Sequence, residues 1–179
     1  MMIDEVVLAL LVPLGGASVI LCLSSWPNLR EAATLLSAAA LLFVVGLILQ
    51  GMLNGAVHNA TLLRIAPGLS LAFRVEPFGM IFALLASSLW LINSIYSIGY
   101  VRRNALPRQT SFYLWFAVSL SATMGIAFAG NLFTLFLFYE ALTLSTYPLV
   151  VHGHKNSDKA AGRTYLRVLL STSISLFLF

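Results

Sequence analysis

The sequence predicts an all-α membrane protein of about six transmembrane helices, and three observations carry that prediction. The 179 residues are 60% hydrophobic and only 9% charged, whereas a soluble domain carries about 25% charged residues. The apolar residues fall in runs long enough to cross the hydrocarbon as helices, which takes about 20 residues, and mean hydropathy is +0.94. The basic residues collect in the short segments between those runs. The net charge of +4 is therefore a loop-charge pattern of a membrane chain, and nucleic acid is not an expected partner. The single cysteine, Cys22, lies inside an apolar run. It excludes a disulfide within the chain and any cysteine-held iron–sulfur or zinc site, and neither a cofactor nor a metal is expected.

Span 1 covers roughly Val6–Leu23. It follows Asp4 and Glu5, whereas a cleaved signal peptide opens on positive charge. Pro13 and the Gly15-Gly16 pair predict a kink, tolerated where neighbours satisfy the freed backbone groups. Ser24–Arg30 reads as a short loop with Trp26 at interface depth. Span 2, about Ala32–Leu53, opens with small residues through Ala40 that make a packing face. Asn54–Glu76 is the longest non-spanning segment, and its Leu69–Val75 part alternates loosely, as a short strand or hairpin on the bilayer surface would.

Span 3, about Phe78–Gly99, follows Glu76-Pro77. Proline suits a first helical position and an acid complements the positive helix end, so Glu76 reads as a helix-start residue. Val101–Arg108 is a basic loop. Span 4, about Ser111–Ala129, places Ala117, Ser121, Gly125 and Ala129 at every fourth position, a close-contact stripe. Gly130-Asn131 then divides an over-long apolar run into a tight helical hairpin, with Asn131 capping the second helix. Span 5 is Asn131–Val151, with Pro148 near its end. His152–Arg163 is the most polar loop, and span 6 starts near Thr164. Span 6 still runs at Phe179 with no polar flank, so the natural chain is expected to continue. Two parts result: 1–110, with three helices and a surface segment at 54–76, and 111–179, with helices 4–6.

Glu140 lies within one residue of the centre of span 5. An ionised carboxylate at that depth is costly, by at least a few kcal/mol on insertion scales, and marks a functional candidate. Helical spacing puts Phe133, Phe136, Leu137, Thr143, Leu144 and Tyr147 on its side. Thr143 and Tyr147 form a short polar lead-in on an otherwise dry wall. Arg163 and Arg167, four apart at the start of span 6, read as residues that snorkel to the surface; a second reading makes Arg167 a temporary counter-charge for Glu140. Gln50 and Asn93 read first as polar residues without a role, and second as bridges between helices or the lining of a water path. His152 and His154 read as residues of a solvated loop, where a metal site would need more ligands; the weaker alternative is that they collect protons.

At these residues a family comes into view. GNLFTLFLFYEALTLSTYPLV, followed by a polar loop and AGRTYL, resembles the antiporter-like subunits of respiratory complex I (NADH:quinone oxidoreductase) and the large subunits of Mrp-type cation/proton antiporters. FRVEPFGMIFALLASSLWLINSIYSIGYV is similar to their third-helix region, so the resemblance covers about residues 70–179. It implies that residues 111–179 begin an inverted-repeat antiporter-like bundle, of which this is an N-terminal fragment. It also implies a proton-transfer role for Glu140, paired in the family with a Lys two helices later, which here lies beyond Phe179 or is absent. Where the chain has Glu76 the family often has Asp.

The implied function is proton, or cation/proton, translocation within a larger membrane complex, with no redox centre of its own. The implied partners are other membrane subunits, the lipid bilayer, and protons or Na+. The alternative is a structural or assembly subunit, or an inactive fragment of such a complex. Complex I, a membrane-bound hydrogenase, an Mrp antiporter and a bicarbonate-uptake relative all remain open. The expected location is the bacterial inner membrane.

Alternation of the spans puts Arg30, Arg102, Arg103, Arg108, Lys155, Lys159, Arg163 and Arg167 on one side, against Arg64 and Arg74 on the other. The excess of lysine and arginine on cytoplasmic loops then places the N-terminus outside. A sole cysteine placed at Asn156 is expected to react only with reagents that reach the cytoplasm; labelling from outside intact cells would reverse the orientation.

Overall fold

The computed structural model describes residues 5–55, 59–66, 69–104, 108–151 and 158–178. Six helices and one hairpin follow in order: α1 (Glu5–Cys22), α2 (Pro27–Leu53), β1 (Asn59–Ala66), β2 (Leu69–Arg74), α3 (Pro77–Arg103), α4 (Gln109–Ala127), α5 (Leu132–Val150) and α6 (Asp158–Leu178). Helices α1 to α5 are long and apolar enough to cross a membrane. The chain is an integral membrane protein built almost wholly of helices.

Several ends extend beyond the sequence expectation. Helix α2 opens at Pro27, so Asn28–Arg30 are helical and the first loop shrinks to its beginning. Proline at the first helical position costs no hydrogen bond there. Helix α3 runs on through Arg103, and α6 starts at Asp158, so residues 158–163 are helix rather than loop. In each case charged residues continue the helix past the apolar run, as they can once the backbone leaves the hydrocarbon. His152, His154, Lys155 and Asn156 lie outside the described residues.

Helix α4 is the hub, packed against α1, α5 and α3. Lipid supplies little hydrophobic drive between helices, so close backbone approach matters more than bulk. The predicted stripe on α4 does this: Ala117, Ser121 and Gly125 are buried. The Ser121 hydroxyl donates to the Leu10 carbonyl of α1 at 2.8 Å. A Cβ on Gly125 would lie 2.1 Å from the Phe138 ring of α5. A Cβ on Gly79 of α3 would lie 2.0 Å from the Ala127 carbonyl oxygen.

Each end of the bundle is closed by polar contacts. At the end with most of the arginines, Arg30 and Glu31 are buried. Arg102 of α3 donates to Glu31 through Nε at 3.0 Å and through Nη2. Arg30 donates to Thr110 at 3.0 Å and Gln109 at 2.9 Å, and its guanidinium lies 5.4 Å over the Tyr113 ring. Arg30 and Arg102, read from sequence as loop residues, instead lie on α2 and α3 and tie α2 to α3 and α4. Geometry therefore fixes the first and third loops at the same end.

At the other end the predicted hairpin exists, with β1 and β2 antiparallel. It is more than a surface feature, because β2 docks on the α4–α5 turn. Arg74 N–H donates to the Phe128 carbonyl and Gly130 N–H to the Ala72 carbonyl, both at 2.8 Å. Phe73 is buried edge-on to Phe138.

Two outcomes follow for stability. Gly79→Ala should lower thermal stability by about 1–3 kcal/mol, the usual cost of overpacking. Gly99→Ala on the same helix should be neutral or slightly stabilising, since nothing lies within 4 Å of its Cβ position. Glu31→Gln should lower the melting temperature more than Arg102→Gln, because it leaves the buried Arg30 without its nearby carboxylate at 3.9 Å. Thermal unfolding in detergent checks both orderings.

Candidate functional site

The site begins at the start of α5. Asn131 caps that helix, its side-chain oxygen accepting from Thr134 N–H at 2.8 Å. The Asn131 amide also donates to the Ser70 carbonyl of β2 at 2.7 Å. The Thr134 hydroxyl accepts from Ala72 N–H at 3.0 Å. The hairpin thus sets where α5 begins, and nine residues after its cap Glu140 falls next to the helix midpoint.

Helix α6 runs antiparallel beside α5. A Cβ on Gly162 would lie 2.5 Å from Val151 and 2.9 Å from the Tyr147 ring, so the two helices approach closely there. Three turns further along α6, Ser173 is buried and donates its hydroxyl to Glu140 Oε1. The same hydroxyl lies 3.1 Å from the Leu170 carbonyl of its own helix. Glu140 itself is half-buried. The chemistry of this pair is reversible: a serine hydroxyl donates to a carboxylate and accepts from a carboxylic acid. The contact can therefore persist in either protonation state of Glu140.

The residues expected to support Glu140 are arranged differently. Thr143 is buried and Tyr147 packs against Gly162. Among the described residues neither hydroxyl bonds the carboxylate. Arg167 is exposed and makes no ion pair with Glu140 among the described residues. The α5–α6 pairing sets Arg167 near the level of Thr146, six residues from Glu140, or about 9 Å along the axis. Gln50 is exposed and Asn93 half-buried, and neither bridges to another helix among the described residues. No group of three or more His, Cys, Asp or Glu among the described residues is arranged to hold a metal ion.

Ser173 is the residue that sequence reasoning missed. Its neighbours Ser171, Thr172 and Ser175 bond back to carbonyls of their own helix, the common habit of such residues. The available signal was phase: Gly162 and Ser173 are eleven residues apart, three helical turns, and so share one face. A second hydroxyl contact also escaped the sequence reading. Ser119 of α4 donates to Ser145 of α5 at 3.1 Å, in a buried position.

Comparison with known proteins gives two kinds of likeness. No family model matches the chain. It is 26% identical over 83 residues to Na(+)/H(+) antiporter subunit A1 of Staphylococcus aureus strain bovine RF122 / ET3-1, covering 46% of this chain and 10% of that protein. The same subunit from strain JH9 matches over the same length at the same identity. Among solved structures, a chain of the membrane-bound sulfane sulfur reductase, an archaeal respiratory membrane complex, superposes with a TM-score of 0.80 at 20% identity. That match covers 98% of this chain and 27% of the other. The fold is thus shared with a subunit of a respiratory membrane complex, and this chain spans about a tenth of the length of the curated relatives it matches.

With Cys22 replaced by Ser, cysteines at positions 140 and 173 are expected to be joined by a short thiol-reactive linker, and cysteines at 140 and 167 are not. Gel mobility of the linked product reads this, and the opposite preference would refute the α5–α6 register.

Proposed function

We propose that this chain is part of a membrane subunit that translocates protons, or cations in exchange for protons, with Glu140 as the mid-membrane proton carrier. The observation that carries the reading is a carboxylate at the middle of an apolar helix, held by a hydroxyl from the next helix. An acid there is expensive to keep without a purpose, and Ser173 lets it change protonation state without losing its contact. The likeness to a Na(+)/H(+) antiporter subunit and to a respiratory membrane complex supports the same class. Ser173 takes the supporting place that Thr143, Tyr147 and Arg167 were expected to fill. Its partners in this reading are other membrane subunits, and the ion is H+ or Na+. The N-terminus lies outside a bacterial inner membrane.

A second reading is structural: the chain helps assemble such a complex without conducting ions. One observation favours it. Among the described residues, no basic side chain reaches Glu140, and a single hydroxyl is its bonded partner.

Ion translocation by the full assembly in vesicles separates the two readings. Glu140→Gln keeps the shape and hydrogen bonding but cannot exchange a proton, so translocation should fall by about a hundredfold or more. Glu140→Asp should keep part of the activity. Ser173→Ala should reduce it partly, and Ser175→Ala, on the exposed side of α6, should match the parent. Parental translocation by Glu140→Gln at normal assembly levels would leave the structural reading standing.

A further inference from the structure

A cavity of about 390 Å³ lies between the start of α3 and the α4–α5 turn. Phe78 and Phe82 of α3, Ile126 of α4 and Leu135 of α5 line it, and Arg74 and Glu76 stand among its lining residues. Phe78 and Phe82 are 85% and 41% exposed, so the cavity opens on the outer surface of the bundle.

Its depth follows from length. Helix α3 has 27 residues, or about 40 Å at 1.5 Å per residue, while the hydrocarbon core is about 30 Å thick. The surplus lies mostly at the Arg102–Arg103 end; at the other end the apolar run begins at Phe78, directly after Glu76-Pro77, so the charges that precede it stand where the helix enters the hydrocarbon. Arg74 and Glu76 immediately precede α3 and lie at that boundary, and the phenylalanines of its first turns point the way into the hydrocarbon.

The two charges are held close without satisfying each other. Arg74 Nη1 and Glu76 Oε1 are 3.9 Å apart, with side chains 59% and 65% exposed. An exposed pair at that separation contributes little. The Arg74 backbone is fixed through its N–H to Phe128, so its charge stays at the rim. Glu76 occupies the N-cap position of α3 but its side chain makes no capping hydrogen bond. The helix-start role read from sequence therefore leaves the carboxylate unspent.

A guanidinium and a carboxylate side by side above an apolar wall complement a zwitterionic headgroup. We propose that this cavity binds a phospholipid whose headgroup carries a phosphate and a primary ammonium, as phosphatidylethanolamine does. The phosphate oxygens accept from the Arg74 guanidinium, a charge-assisted contact that suits arginine. The ammonium donates to the Glu76 carboxylate. The acyl chain lies along Phe78, Phe82 and Ile126. Phosphatidylglycerol supplies no cation for Glu76, and phosphatidylcholine supplies a cation with no N–H to donate.

The full chain in its natural complex, stripped of lipid in detergent, is titrated with each of the three lipids at matched acyl chains, and bound lipid is counted by native mass spectrometry. Phosphatidylethanolamine should be retained about two- to fivefold better than either of the others, the scale of one surface charge contact. Glu76→Gln should abolish that preference while leaving phosphatidylglycerol retention unchanged. Arg74→Gln should weaken all three. Both side chains are exposed, so neither variant should change the melting temperature, and a Phe82→Ala variant should weaken retention of all three without changing their order. Equal retention of the three lipids by the parent, or an undiminished preference in Glu76→Gln, would overturn the proposal.

Discussion

Within hydrocarbon a polar group has no water to turn to, so each must find its partner inside the protein. Several polar side chains of this chain meet that constraint across helix boundaries. Glu140 is bonded by Ser173. Ser119 meets Ser145, and Ser121 reaches the Leu10 carbonyl. Buried Glu31 is engaged by Arg102, and buried Arg30 by Thr110, Gln109 and the face of Tyr113. These contacts join different helices. The polar contacts therefore help specify which helices are neighbours, together with the close approaches at Gly79, Gly125 and Gly162.

The same constraint explains the hairpin. A turn between two membrane helices exposes backbone donors and acceptors at the helix ends. Here strand β2 supplies partners for the α4–α5 turn through Phe128, Gly130, Asn131 and Thr134. Anchoring that turn fixes the start of α5, and a fixed start sets where Glu140 falls along the helix. A change in the hairpin would thus reach the candidate site through the helix register, with no contact to the carboxylate itself.

The sequence made the helices legible, and with them the place of Glu140 near the middle of α5, because both depend only on the length of apolar runs. It also made legible the Asn131 cap and the α4 stripe, which are local patterns. It read Arg30 and Arg102 as loop residues, because apolar runs end before them, and that length says nothing of the buried Glu31 across the bundle. It read Arg167 first as a snorkelling residue and only second as a counter-charge for Glu140; Arg167 is exposed, and the α5–α6 pairing brings Ser173 to the carboxylate, which no sequence reading named. Non-local pairing of this kind depends on how two helices slide past each other, and one chain's spacing constrains that only through faint cues such as the Gly162–Ser173 phase. The hairpin was foreseen as a shape, but its docking on the α4–α5 turn rests on backbone hydrogen bonds that side-chain patterns do not encode.

The central claim is that Glu140 changes protonation state within the membrane as ions move. Infrared difference spectroscopy of the full assembly in vesicles, driven by an imposed ion gradient, reads this directly. The account predicts a carboxylic-acid carbonyl band that appears or vanishes with the gradient, shifts in Ser173→Ala, and is absent in Glu140→Gln. A carboxyl spectrum that stays silent under the gradient, or a responsive band that survives in Glu140→Gln, would contradict it.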